Sequence, residues 1–174
     1  MNARGMSSSR LLFALVGVVI ALAIAGAVSF VRYTQRAAPD ARRVAVAPFD
    51  IFAPGLDGWR VLLARRVTDR IAAQPGWSAV PQTIVAQRWK GQDRAEASAV
   101  ELARRTQAGI AVYGRVDSVG TDSVRVHVLL IDVMTTVVTT TVELRLQRTA
   151  GEAVADSVAA HVVQRLPRPP ATPQ

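Results

Sequence analysis

The sequence predicts an α/β (α+β) domain behind an N-terminal transmembrane helix. The domain is a mixed sheet of about five strands with two to three packed helices, in the order β-α-β-α-β-β-β-α. Three observations carry this reading. Residues 110–116, 123–132 and 136–146 are dense in β-branched side chains. Two stretches between 56 and 106 repeat their apolar positions every three or four residues. The segment Leu11–Val31 runs for 21 residues without a charge.

The apolar segment comes first. As a helix it would be about 31 Å long, matching a hydrocarbon layer of about 30 Å. It is apolar on every face, unlike a buried helix of a water-soluble core. Arg10 and Arg32 bracket it, and Tyr33 stands where an interfacial aromatic belongs. The rival reading is a cleaved signal peptide, since Ala25-Gly26-Ala27 satisfies a small-x-small site. The run, however, exceeds the usual 7–15 residues. Arginines lie on both sides of the segment, so its orientation stays open.

The polar stretch Thr34–Asp40 reads as a linker, and Val44–Ala47 as a buried strand ended by Pro48. Asp50–Gly58, with Pro54, Gly55 and Gly58, reads as a loop. Leu56, Trp59, Leu63, Val67 and Ile71 form one stripe of a helix that Pro75-Gly76 ends. Trp77–Pro81 is a short strand, Thr83–Trp89 one or two helical turns, and Glu96–Thr106 an amphipathic helix. Ile110–Val116, Ser123–Asp132 and Thr136–Leu146 follow as an antiparallel meander with one wet face, because Arg125, His127, Glu143 and Arg145 alternate with apolar residues. A last helix spans Gly151–Leu166, and the tail PRPPATPQ cannot extend it. The chain thus divides into a basic tail (1–10), the membrane segment (11–31), a linker (32–42), the α/β domain (43–148), a C-terminal helix (149–166) and a Pro-rich tail (167–174).

Composition removes several kinds of function. With no cysteine among 174 residues there are no disulfides, thiolate metal sites or cysteine nucleophiles. The net charge of +8 sits mostly on the arms: residues 1–43 hold six arginines against Asp40, whereas 44–165 are nearly balanced. A nucleic-acid binder would concentrate its excess on the folded part. His127 and His161, the only histidines, lie on a strand and a helix with no metal-ligand spacing between them. Asp117, Asp122 and Asp132 stand at strand ends, where turn chemistry accounts for them. Gly55 and Gly58 lack a phosphate-loop frame. No cofactor and no enzymatic activity are implied.

Two features suggest partner contact. Trp89, flanked by Arg88 and Lys90, is the candidate exposed anchor. The run Thr135–Thr141 is uncharged and β-prone, so a free edge there would accept a partner strand, and Thr139 sits in its middle.

The pattern also resembles a known family. Val44-Ala-Val-Ala-Pro-Phe49, Ile110-Ala-Val-Tyr-Gly114-Arg-Val116 and Ser123–Val133, with its Leu-x-Asp-Val ending, resemble TolB amino-terminal-like domains over about residues 43–148. That family has Thr-Gly after the aspartate, where this chain has Thr135-Thr136. The turn type is therefore open, since Thr tolerates positive φ poorly. The resemblance implies a non-catalytic module contacting other bacterial envelope proteins. With the apolar segment in the bilayer, the chain would be single-pass in the cytoplasmic membrane with its domain on the periplasmic side. A second implication, from kinase-associated relatives, is a small-ligand-sensing regulatory domain.

Overall fold

A computed structural model describes residues 38–91, 95–148 and 151–168. The expected membrane segment, residues 11–31, lies outside the described residues, as does most of the Pro-rich tail. Among the described residues no helix is long and apolar enough to cross a membrane. Within them lies a mixed six-stranded sheet with four helices. The strands are β1 (Asp40–Val46), β2 (Asp50–Ile51), β3 (Ser78–Ala79), β4 (Ala108–Val119), β5 (Ser123–Asp132) and β6 (Val138–Gln147). The helices are α1 (Trp59–Ala72), α2 (Gln82–Arg88), α3 (Ala95–Arg105) and α4 (Gly151–Arg165).

The sheet order is β3-β1-β4-β5-β6, with β2 also beside β4. β1 is parallel to β3 and β4, β2 is parallel to β4, and β4-β5-β6 is the antiparallel meander. The sixth strand corrects the expectation of a loop at Asp50–Gly58. β1 pairs with Ala108–Val112 and β2 with Arg115–Val116, so the two are halves of one lane broken at Ala47-Pro48-Phe49. Pro48 has no N–H for a ladder, which is why the lane breaks there. β1 also begins at Asp40, earlier than Val44, because the Asp40 N–H donates to the Gln107 carbonyl at 2.9 Å. The 82–88 segment forms a true short helix, giving four helices where two to three are expected.

The side-chain period of two divides the core. Val44, Val46, Ile110, Val112, Val126, Val128 and Leu130 face α1 and α4, which pack on each other. Ala45, Ala47, Ala111, Tyr113 and Ile131 face α2 and α3. β4, in the middle, is buried on both faces, which explains its nearly unbroken apolar sequence. Arg66 of α1 ties α4 down through Glu152 and, at 3.0 Å, Asp156. These two carboxylates raise the Arg66 guanidinium above its ordinary value, with the Glu152 hydrogen bond the largest cause.

At the lane break Phe49 turns inward, fully buried, and its ring lies where a Cβ on Gly114 would be, 2.1 Å away. Gly114 is thus the strand residue that gives up its side chain to a close neighbour. At the β5–β6 turn, Asp132 Oδ1 accepts from the Met134 and Thr135 N–H groups, both at 2.9 Å. Thr136 then takes φ +57°, the left-handed conformation that its β-branched side chain resists.

Two outcomes follow from these backbone positions. Gly114→Ala should cost about 2–3 kcal/mol in denaturant melts, from overpacking against Phe49. Adding Phe49→Leu should recover part of that loss, and simple additivity of the two losses would contradict the contact. Thr136→Gly should gain about 1 kcal/mol, or roughly 3–5 °C in Tm, by relieving left-handed strain.

Candidate interaction edge

The two ends of the sheet are built differently. β3 is only two residues long, a short edge that offers little to a partner strand. β6 is ten residues long and, among the described residues, pairs on one side only, with β5. At about 3.3 Å per residue it presents roughly 30 Å of outer edge. Its first half, Val138-Thr-Thr-Thr-Val142, carries no charge, and Val138, Thr139 and Thr141 are exposed.

Thr139 sits at the start of this edge. Its Oγ1 donates to the Leu130 carbonyl at 3.0 Å, beside the register shift between Leu130 and Ile131. The hydroxyl therefore steadies the irregular start of β6 while the residue stays exposed. Before it, Met134 and Val137 are 69% and 58% exposed, so the turn leading into the edge is apolar.

Beyond Val142 the edge becomes charged. On the face away from α4, Glu143 receives Arg125 and His127 from β5, both at 3.3 Å. The wet face of the meander is confined to this distal half, since Leu129 and Ile131 pack into the core under α2 and α3. Further in, Arg115 grips both carboxylate oxygens of Asp117 at 2.8–3.0 Å and lies 5.0 Å from the Phe52 ring centroid. The Asp117 hydrogen bond is the first cause that raises the Arg115 guanidinium above its ordinary value.

Next to this cluster the Tyr113 hydroxyl donates to Asp50 Oδ2 at 3.0 Å, and Arg60 stands 3.9 Å from the same carboxylate. Burial, then the bond to Asp50, pushes the Tyr113 hydroxyl well above the usual phenol range, so it remains a donor. This contact joins β2 to β4 across 63 residues, and nothing in the sequence pattern announced it. The nearest signal was an aspartate directly after Pro48-Phe49.

Trp89 lies apart from Thr139. It follows α2, is half-buried, and packs against the core under α2 and α3, while its backbone N–H donates to the Val85 carbonyl at 2.7 Å and closes the helix. α2 packs on β1, whereas β6 is the outermost strand on the far side of β4 and β5. His161 Nδ1 is 2.8 Å from the Ser157 carbonyl, one turn back on α4. Among the described residues no group of three His, Asp or Glu side chains is placed to hold a metal ion.

No family model matches the sequence, and no curated protein matches it. Solved structures do. Lipoprotein GNA1162 from Neisseria meningitidis is 16% identical, with 71% of this chain and 95% of that chain covered and a TM-score of 0.52. TolB from Acinetobacter baumannii is 17% identical over 73% of this chain, which spans only 29% of that longer protein, with a TM-score of 0.49. The PelC dodecamer from Paraburkholderia phytofirmans is 22% identical, with 73% of this chain and 88% of that chain covered and a TM-score of 0.48. The likeness to the Neisseria lipoprotein shows that the domain shares the fold of a bacterial lipoprotein.

Proposed function

We propose that this chain is a membrane-anchored, non-catalytic protein of the bacterial cell envelope whose domain captures protein partners by strand addition at β6. The observation that carries it is the long, one-sided β6 edge with its uncharged first half, set opposite a two-residue edge at β3. Natural sheets usually blunt an exposed edge with charge, proline or brevity. Here the blunting is applied to one edge and withheld from the other. A partner strand would gain backbone hydrogen bonds along Val138–Val142, and Glu143 and Arg145 would set its register by charge. Trp89, half-buried against the core under α2 and α3, is the second proposed contact.

The anchor is the apolar segment 11–31, bracketed by arginines. The Neisseria protein of like fold is a lipoprotein. This sequence has no cysteine to carry a lipid, and the apolar segment takes that role. The domain stands on the periplasmic side of the cytoplasmic membrane, where envelope partners are reached.

Protease added to spheroplasts should remove a C-terminal tag from the full-length protein without detergent. Protection until lysis would place the domain in the cytoplasm and end the envelope reading. At the edge, a photocrosslinker at Thr141 should give a defined adduct in cells that Thr139→Lys abolishes. Thr139→Val is the control, because it loses the same hydrogen bond to Leu130 without adding charge. Equal loss in both variants would assign Thr139 a structural role only.

A further inference from the structure

One end of the domain gathers features that neither the strand edge nor the core explains. β1 enters there at Asp40, which pairs with Ala108. The Val133 N–H donates to the Gly109 carbonyl at 2.9 Å, so the β5–β6 turn lies beside the start of β4. α1 and α3 run toward this end and finish at it. α4 starts against Trp59, at the opposite end of α1, and therefore finishes here too. The topology thus collects Arg42 and Arg43 of β1, Arg70 of α1, Arg104 of α3 and Arg165 of α4 at a single pole, where the Arg88 guanidinium of α2 donates to the Arg105 carbonyl.

The acidic side chains toward this pole include Asp40, Asp132, Asp69 and Glu101. Asp40 accepts from the Arg42 N–H, and Asp132 caps its own turn. One turn back along the helices, Asp69 faces Arg65 at 3.8 Å and Glu101 holds Arg105 at 2.9 Å. The opposite end mixes its signs, with Asp117 on Arg115, Asp50 near Arg60, and Asp57 and Asp122 close by. At the same end the β5–β6 turn projects Met134 and Val137, exposed by 69% and 58%. Exposed apolar side chains and arginines at one end of the domain match the layered chemistry of an anionic bilayer surface, with phosphates outside and acyl chains beneath.

We infer that this pole docks on anionic phospholipid, with Met134 and Val137 reaching into the headgroup layer and the arginines on phosphates. The inference rests on the anchored reading for its geometry. Only eight residues, 32–39, separate the apolar segment from β1, a reach of at most about 28 Å. The chain therefore enters the domain through the very end that carries the arginines and the apolar turn.

The chain has no cysteine, so Met134→Cys in the full-length protein takes a single environment-sensitive fluorophore; Thr121→Cys, at the other end, is the control. Each is combined with vesicles of phosphatidylcholine alone, or of equal parts phosphatidylcholine and phosphatidylglycerol, and read by flotation and emission. The expected result is flotation with both, and a blue shift at Met134→Cys alone, only with phosphatidylglycerol. The shift should be lost as salt shortens the Debye length to about 3 Å at 1 M. It should also be lost in Arg42→Gln/Arg43→Gln/Arg104→Gln, which still floats. Flotation with both and no shift would overturn docking and leave the anchor standing. Flotation with the shift only on phosphatidylglycerol vesicles would uphold docking and remove the anchor. Flotation with neither would remove both.

Discussion

The seat of the Phe49 ring against Gly114 is where the two halves of the domain are made one. Pro48 ends β1 because it brings no N–H to the ladder, and the chain must leave the lane before β2 resumes it. A break in a central lane would open a hole beneath α1. Phe49 fills that hole, and it can do so because β4 offers no side chain at Gly114. The same detour delivers Asp50 to the Tyr113 hydroxyl and sets Phe52 over Arg115. One missing methyl group on β4 thus permits the core plug, the second half of the lane and the polar cluster at its end.

The remaining architecture follows from how far the helices reach. α1 and α4 cover one face out to β6, where Val142 is buried and Leu144 and Leu146 are half-buried. α2 and α3 cover the other face only over β1, β4 and the end of β5. Past them the sheet meets water, and the strands respond with paired charges: Arg115 with Asp117, and Arg125 and His127 with Glu143. These pairs are exposed and contribute little to stability. Their effect is to keep that half-face polar while β6 begins with five uncharged residues.

Much of the candidate site was legible beforehand, for local reasons. The uncharged threonine and valine run around Thr139 reads as a strand whatever surrounds it, since β-branched residues suit a pleated surface. The Asp132 turn reads from its own spacing, because an aspartate reaches N–H groups two and three residues on. Trp89 was harder. Its charged neighbours suggest exposure, but tertiary packing decides how much of an indole is covered, and here packing on the core under α2 and α3 leaves it half-buried. The Tyr113–Asp50 bond was invisible, because its partners are far apart in sequence and each has an ordinary local explanation.

Local sequence was enough for the longer helices and the three long strands of the meander, since hydrophobic period, β-branching, proline and glycine act within a few residues, but not for the two-residue strand at Asp50–Ile51. Asp132 also read as a turn residue from its place at a strand end, whereas the glycine at 114 gave no sign that a side chain, the Phe49 ring, would take its space. Tertiary structure alone places Phe49 as that neighbour, makes β6 and not β3 the long edge, and brings arginines from five separate elements to one end with an exposed apolar turn. Those facts depend on strand order and helix direction, which bring together residues from Asp40 to Arg165. Contacts of that separation leave no local pattern, because what selects them is the burial of both sheet faces at once.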